Sequence, residues 1–334
     1  MKPSACFFFF ILLLFSINVV EAGSVITLSP DDGSQSNQRA INEAIETVSN
    51  AGGGTVHLNS GIYFVDGPVY VRTNVLLDGN PKAIIRVSKT SSQWFTGKIG
   101  ILTFKGYRGR NIIIQNFQID GNLDQLPRSF ADSDGGDHNC ERAIYIQGST
   151  DAFLSNVEIV NMKIYDCYSD GIHVQFANNV LCSDNFVSNC QHSGIFFVSV
   201  INGLIEGNEV AGITSDCLRY DNCVDNIFRY NIFCSYTGDN NKGAHKGGQN
   251  GVQIADQGYS HGGGSDKPTT TQNIEGYGNT FANTGLREVW IDPTLKSSKN
   301  VYLHDNKFVE GKEIETDGFS VEGISFTNSP TKYL

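Results

Sequence analysis

Apolar side chains recur along this chain in short runs that alternate with polar ones. The clearest runs pair Ile172 with Val174, Ile195 with Phe197, Leu218 with Tyr220, Val252 with Ile254, and Val289 with Ile291. Segments 111–116 and 143–146 fit the same frame. A period of two marks a strand with one buried face. Ahead of each of the five runs stands an asparagine, and the series Asn161, Asn185, Asn208, Asn231, Asn279 and Asn306 is spaced by 24, 23, 23, 48 and 27 residues. A second series, Asn156, Asn179, Asn202, Asn226, Asn273 and Asn300, precedes it by five or six residues. Short strands joined by tight turns, repeated about every 23 residues, predict one coil per repeat, with stacked asparagines forming amide ladders between coils. Propeller blades need about 40 residues and leucine-rich repeats need a leucine framework that is absent. The expected fold is all-β, a single-stranded right-handed parallel β-helix.

A solenoid needs capped ends. Ile41, Ala44, Ile45 and Val48 fall at helical spacing within residues 37–49, which predicts an N-terminal capping helix. The expected division is a cap over about 30–60, coils over about 61–311 and a C-terminal end over 312–334. At the start, Lys2 precedes an apolar run from Phe7 to Phe15, and Val20, Glu21 and Ala22 offer a small-residue cleavage site. This layout predicts a secretory signal over residues 1–22, a single domain over 23–334 and a secreted, extracellular product. The run is short for a bilayer span, and no later run is long enough, so no membrane span is expected after the signal is removed.

Composition narrows the partners. There are 24 Lys+Arg against 35 Asp+Glu, a net charge of −11, and residues 1–22 carry one Lys and one Glu, so their removal leaves it unchanged. Nucleic acid is therefore not an expected partner, because phosphate binding needs a basic face. Of eight cysteines, Cys6 lies in the signal; Cys140, Cys167, Cys182, Cys190, Cys217, Cys223 and Cys234 remain. An odd number leaves at least one thiol unpaired, and no pair has zinc spacing, so no structural metal is expected.

The block containing Asn37, Ala44-Ile45, Gly52-Gly53-Gly54-Thr55-Val56 and Gly61-Ile62-Tyr63 resembles the opening of the pectate-lyase-like superfamily, especially its polygalacturonase and rhamnogalacturonase branches and related phage tailspikes. The resemblance implies action on polysaccharides, commonly uronate-rich ones, in an exterior groove along the coils. Extra length falls in three loops, near 121–140, 236–249 and 257–271. The first two precede the same strand column four coils apart, roughly 19 Å, and are expected to wall a groove for a few sugar units.

Alternation assigns the floor of that groove. One outward column reads Tyr145, His173, Phe196, Arg219, Gln253, Trp290; the column at the strand entrance reads Arg142, Asp170, Ser193, Asp216, Asn250, Arg287, with Glu141 and His192 just ahead of it. Phe196 and Trp290 leave from the outward face, where they would either stack on sugar rings or pack beneath a folded-over loop. Glu141, Arg142, Tyr145, Tyr168, Arg219, Gln253 and Arg287 complete the expected substrate contacts, and Asp170, Asp216, His173 and His192 the catalytic set. Inverting glycoside hydrolysis needs two carboxyls about 6.5–9.5 Å apart. Asp170 and Asp216 stand two coils apart, roughly 9.6 Å between backbones. His173 or His192 would tune protonation, and Arg142 and Arg219 would hold a substrate carboxylate.

Ser169-Asp170-Gly171 and Ser215-Asp216 resemble the first two acidic motifs of polygalacturonases, whose later Gly-His-Gly and Arg-Ile-Lys have no counterpart here. The leading expectation is a hydrolase of a uronate-containing polysaccharide. A second is β-elimination or C5-epimerisation, since Tyr168, Asp170 and His173 are similar in type to the Tyr, Asp and His of alginate epimerases; Tyr168 or His173 would then move the proton. A third is a non-catalytic glycan-binding or surface-layer protein. No cofactor is required, though calcium, used by pectate lyases, has a candidate in Asp132, Asp134 and Asp137.

Overall fold

The computed structural model describes residues 23–31, 33–89, 99–104, 106, 108–125, 142–234, 250–256, 270–282, 284, 287–291, 299–309, 314–315 and 325–327. The chain winds as a right-handed parallel β-helix. Each coil contributes one strand to each of three ladders, and every strand pairing within them is parallel.

The first ladder carries Arg142–Gln147, the start of Ile172–Ser183, the start of Ile195–Glu206, Asp216–Asp221, Asn250–Ala255 and Arg287–Ile291. The second takes Leu154–Val160, the ends of the two long strands, Val224–Arg229, Gln272–Tyr277 and Lys299–His304. The third runs from Gly61–Val65 to Lys307–Phe308. The two long strands bend between ladders at Phe176 and Ser199, which adopt left-handed φ of 54° and 49°. Ile314–Glu315 and Ser325–Thr327 continue the first and second ladders.

The inward positions read from alternation, Ile172/Val174 through Val289/Ile291, all lie in one continuous apolar core. Helix α1 (Ser34–Asn50) closes the N-terminal end, with Ile41, Ala44, Ile45 and Val48 buried against the first coils. Asn42 explains how it caps: its Nδ2 donates to Pro68 O at 3.0 Å and its Oδ1 accepts the Tyr70 N–H at 2.7 Å. Those backbone groups lie at the start of Val69–Val71, the first strand of the first ladder, an edge that would otherwise be open to pairing.

Two asparagine ladders run along the solenoid, each one residue out of step with the sequence reading at one place. In the outer one, Asn111, Asn156, Asn179 and Asn202 each donate a side-chain amide to the preceding asparagine, at 3.0–3.4 Å, and all sit at left-handed φ of 53–57°. The next rung is Asp225, not Asn226: Asn273 donates to its carboxylate at 2.7 Å. Asn226 lies one residue on, buried, and bonds the Val200 and Val224 carbonyls. The inner ladder is Asn185–Asn208–Asn231–Asn279–Asn306, with amide contacts of 2.9 Å throughout. Its upstream rung is Met162, whose N–H reaches Asn185 Oδ1; Asn161 belongs to the neighbouring left-handed column. The 48-residue interval is one enlarged coil, since Asn231 and Asn279 bond directly.

Among the described residues Cys182, Cys190, Cys217 and Cys223 are buried free thiols, and no helix is long and apolar enough to cross a membrane. The expected signal segment, Cys140 and most of the three inserted loops lie outside the described residues.

Candidate active site

Strand register aligns Tyr145, His173, Phe196, Arg219, Gln253 and Trp290 as neighbours across six successive coils of the first ladder. Backbone bonds from Gly171 to Ser193 O and from Gly194 to Asp216 O put Asp170, Ser193 and Asp216 on consecutive rungs of the entrance column, followed by Asn250 and Arg287. Both columns therefore exist as the alternation predicts.

Their exposure does not match expectation. Phe196 is 2% exposed rather than open to a sugar, and Tyr145, His173, Arg219 and Gln253 are buried too; Trp290 and Arg287 are half-buried. The reason is packing along the ladder. With strands about 4.8 Å apart, outward side chains touch the next rung. The His173 ring meets Tyr145 at 5.0 Å and Phe196 at 4.6 Å, and Arg219 lies 4.7 Å over the Phe196 ring.

At the centre is Asp170, which is fully buried. Its Oδ1 accepts from His192 Nδ1 at 2.6 Å and the Ser193 N–H at 3.1 Å; its Oδ2 accepts from His173 Nδ1 at 2.8 Å and Arg142 Nε at 3.0 Å. Four donors fill the four lone-pair directions of a carboxylate. Burial alone raises the Asp170 carboxyl, but the charge and hydrogen bonds of His192 and His173 outweigh it and hold it well below the usual range. An ionised acceptor fixes a proton on each Nδ1, so each ring turns its Nε2 away from Asp170. Arg142 Nε also lies 3.2 Å from His173 Nδ1, and its guanidinium 4.8 Å from the Tyr145 ring.

Asp216, on the same column, has the opposite character. Burial lifts its carboxyl above the usual range, and the Arg219 charge and the Asn250 hydrogen bond do not cancel that. Asn250 donates to Oδ1 at 2.7 Å and Ser215 to Oδ2 at 3.1 Å. Two neutral donors make a weaker anion site than the four around Asp170, two or three of which carry charge.

The arginines expected to hold a substrate carboxylate are paired within the protein. Arg142 bonds Asp170, and Arg219 binds Asp221 with Nη2 at 3.0 Å. Asp221 was not anticipated, although the period of two places it on the same face as Arg219. These two pairs cancel much of the local positive charge that the columns suggest. Arg287 lies over the Trp290 ring at 5.0 Å. Tyr168 is not on the stripe: it packs in the apolar core with its hydroxyl 3.4 Å from Leu123 O. Glu141 lies outside the described residues, as do Asp132, Asp134 and Asp137. Among the described residues no His, Cys, Asp and Glu group is arranged to hold a metal ion.

Comparison with known proteins places the chain. A family model described as rhamnogalacturonase A/epimerase, pectate lyase-like, matches residues 16–216, which includes Asp170, His173, His192 and Asp216. Over 210 residues the chain is 29% identical to mannuronan C5-epimerase AlgE3 of Azotobacter vinelandii, covering 57% of this chain and only 11% of that much longer protein. Among solved structures, the polygalacturonase from Erwinia carotovora superposes with a TM-score of 0.60 at 14% identity, over 92% of both chains. The A-module of A. vinelandii epimerase AlgE6 gives 0.50 at 18% identity, over 89% of this chain and 87% of that one. PfbA, a surface adhesin of Streptococcus pneumoniae, gives 0.56 at 14% identity, over 90% and 82%. The structural likenesses establish the fold, and the match over residues 16–216 establishes kinship: the chain belongs to the rhamnogalacturonase A/epimerase, pectate lyase-like family.

Proposed function

We propose that the protein is an extracellular enzyme that moves the C5 proton of a uronate unit in an acidic polysaccharide, with C5-epimerisation as the outcome and β-elimination as its close variant. The observation that carries this reading is the saturation of Asp170 by His192, Ser193, His173 and Arg142. A carboxylate with every acceptor direction filled orients its partners and has none left to activate a water. The groups it orients are two imidazoles on adjacent coils, the side-chain type that most often moves protons near neutral pH. One histidine takes the C5 proton as the C–H bond breaks, and the electron pair delocalises onto the uronate carboxylate. Asp216, biased toward its protonated form, hydrogen-bonds that carboxylate as charge develops. Return of a proton from the other histidine to the opposite face inverts C5. Departure of the C4 oxygen with a proton gives the unsaturated sugar instead. The 29% identity to a mannuronan C5-epimerase supports the same chemistry, and the leader read in residues 1–22 supports action outside the cell.

Hydrolysis is the second reading, favoured by Asp216 alone: a buried carboxyl with a raised pKa is the usual form of a general acid. It lacks a carboxylate base, since Asp170 is committed. The test incubates the protein with a panel of uronans in deuterated water. Deuterium at C5, with or without ultraviolet-absorbing unsaturated ends, is expected. New reducing ends with neither deuterium nor unsaturation would overturn the proposal in favour of hydrolysis.

A further inference from the structure

A second site lies away from the Asp170 stripe. At the corner between the first and second ladders, Thr73, Arg108, Gly109, Arg110, Asp151, Ala152, Phe153 and Ser155 line an open cavity of about 650 Å³. That volume is within the range of small-molecule sites, roughly 300–1,000 Å³. We propose that this cavity binds a uronate-containing segment of an acidic glycan, independently of the chemistry at Asp170.

Its floor is built by stacking. Thr73, Arg110 and Ser155 occupy three successive coils: Thr73 Oγ1 accepts the Arg110 N–H at 2.7 Å, and the Ser155 N–H reaches Gly109 O at 3.0 Å. Three rungs span about 9.6 Å along the axis, enough for more than one sugar ring. Gly109 lets the backbone pass close to Phe104, whose ring tip would have to shift to admit a Cβ.

The lining has the chemistry of an acidic sugar. The Arg108 and Arg110 side chains are exposed, and neither guanidinium has an ion-pair or hydrogen-bond partner among the described residues. Such a pair matches a carboxylate, the geometry for which a planar guanidinium is suited. Half-buried Phe153 supplies an apolar face and is held by Phe176, whose ring lies 5.7 Å away. Phe176 itself sits at a left-handed φ of 54°, a conformation a bulky residue keeps only when its surroundings impose it. Asp151 and the Ser155 hydroxyl add acceptors for sugar hydroxyls. With two arginines against one aspartate, the cavity is locally positive on a chain of net charge −11. A bare inorganic anion would use the arginines and leave Phe153 idle, so the sugar is favoured over the free ion.

The proposal depends on the uronate reading above only for the choice of probe. The test is calorimetric titration of the full chain with a galacturonate or mannuronate hexamer, a neutral glucan hexamer and sodium sulfate. The chain is compared with the double variant Arg108→Gln/Arg110→Gln, which, with both positions exposed, is expected to leave the thermal melt unchanged. The variant is expected to lose one binding event, weakened by about tenfold or more, from the loss of charge-assisted hydrogen bonds. Its C5-exchange activity on short oligomers is expected to be unchanged. If the central stripe binds nothing, the parent shows one event and the variant none, so failure at Asp170 is read separately. Equal stoichiometry and affinity in parent and variant would overturn the site. Equal binding of the neutral hexamer, or sulfate binding as tightly as the uronate, would overturn the ligand class.

Discussion

Replacing Asp170 with asparagine changes one atom and tests the architecture directly. In the parent, each carboxylate oxygen faces two donors: His192 Nδ1 and the Ser193 N–H on one side, His173 Nδ1 and Arg142 Nε on the other. Whichever way the amide turns, its NH₂ meets two donors, so at least two charge-assisted bonds are lost, at about 1.5–3 kcal/mol each. The variant also removes the Asp170 charge from beside Arg142, which is 1% exposed. Breaking a buried pair in this way costs about 3–5 kcal/mol, and D170N is expected to be destabilised by that amount in urea unfolding monitored by far-ultraviolet dichroism. Below saturating denaturant the folded fraction is expected to lose C5 exchange by about 100-fold or more, with the loss in kcat rather than KM, because the histidines are misoriented while the sugar contacts remain. The matched control is Asp216→Asn. Asp216 is already biased toward a neutral form and meets neutral donors, so its amide is expected to cost about 1 kcal/mol. A D170N protein within about 1 kcal/mol of the parent that retains turnover would refute the central role given to the Asp170 carboxylate.

Other perturbations follow from the same geometry. Asp216 has a raised folded pKa, so its contribution is complete below the unfolded carboxyl pKa of about 3.9 and is lost as pH rises through the folded value; D216N, about 1 kcal/mol less stable in acid, is spared that loss, so its melt is expected to approach the parent's as pH rises above about 4. Asp170 has the reverse sign: its stabilisation is present above about pH 3.9 and is lost as pH falls through its depressed folded value, and D170N is expected to flatten that acid limb. Asn231→Ala breaks the inner ladder at both its Asn208 and Asn279 contacts and strands the Ile205 carbonyl, an expected loss of about 3 kcal/mol by urea midpoint. Asn179→Gly in the outer, exposed ladder keeps its left-handed φ of 56° and is expected to cost under about 1 kcal/mol. Arg219→Gln removes the guanidinium paired with buried Asp221; the single variant is expected to lose about 3 kcal/mol and the double R219Q/D221N to regain most of it, a cycle whose additivity would show that the pair is not coupled.

The fold was legible because a stacked coil writes itself into the sequence twice. Alternation names the inward column, and the recurrence of a turn residue names the period; neither depends on side-chain detail. The errors were of one residue. Asn226 and Asn161 carry the right residue type beside the right position, and only the hydrogen-bond register, with Asp225 at a left-handed φ of 55° and Met162 N–H on Asn185, separates the columns. An asparagine ladder tolerates such substitutions because an aspartate can accept where an asparagine would, and a backbone N–H can end the chain of donors.

The site was legible as a set of columns but not as a set of roles, and the physical reason lies in the period itself. In a parallel stack, the neighbours of an outward side chain sit on its own strand or about one coil away in sequence. Asp170 thus finds His173 three residues on, His192 and Ser193 at 22 and 23 residues, and Arg142 at 28 residues back across an enlarged coil. Asp216 occupies the same column two rungs later and meets Ser215 and Asn250 instead. Equivalent positions therefore acquire opposite acid–base character from the residues at the flanking rungs, which a reading that pairs the two aspartates by spacing alone does not weigh. Exposure fails for a related reason: alternation tells which side of the strand a residue leaves from, while the 4.8 Å strand spacing lets large side chains on that side cover one another. Phe196, wedged between His173 and Arg219, faces away from the core and is as buried as a core residue.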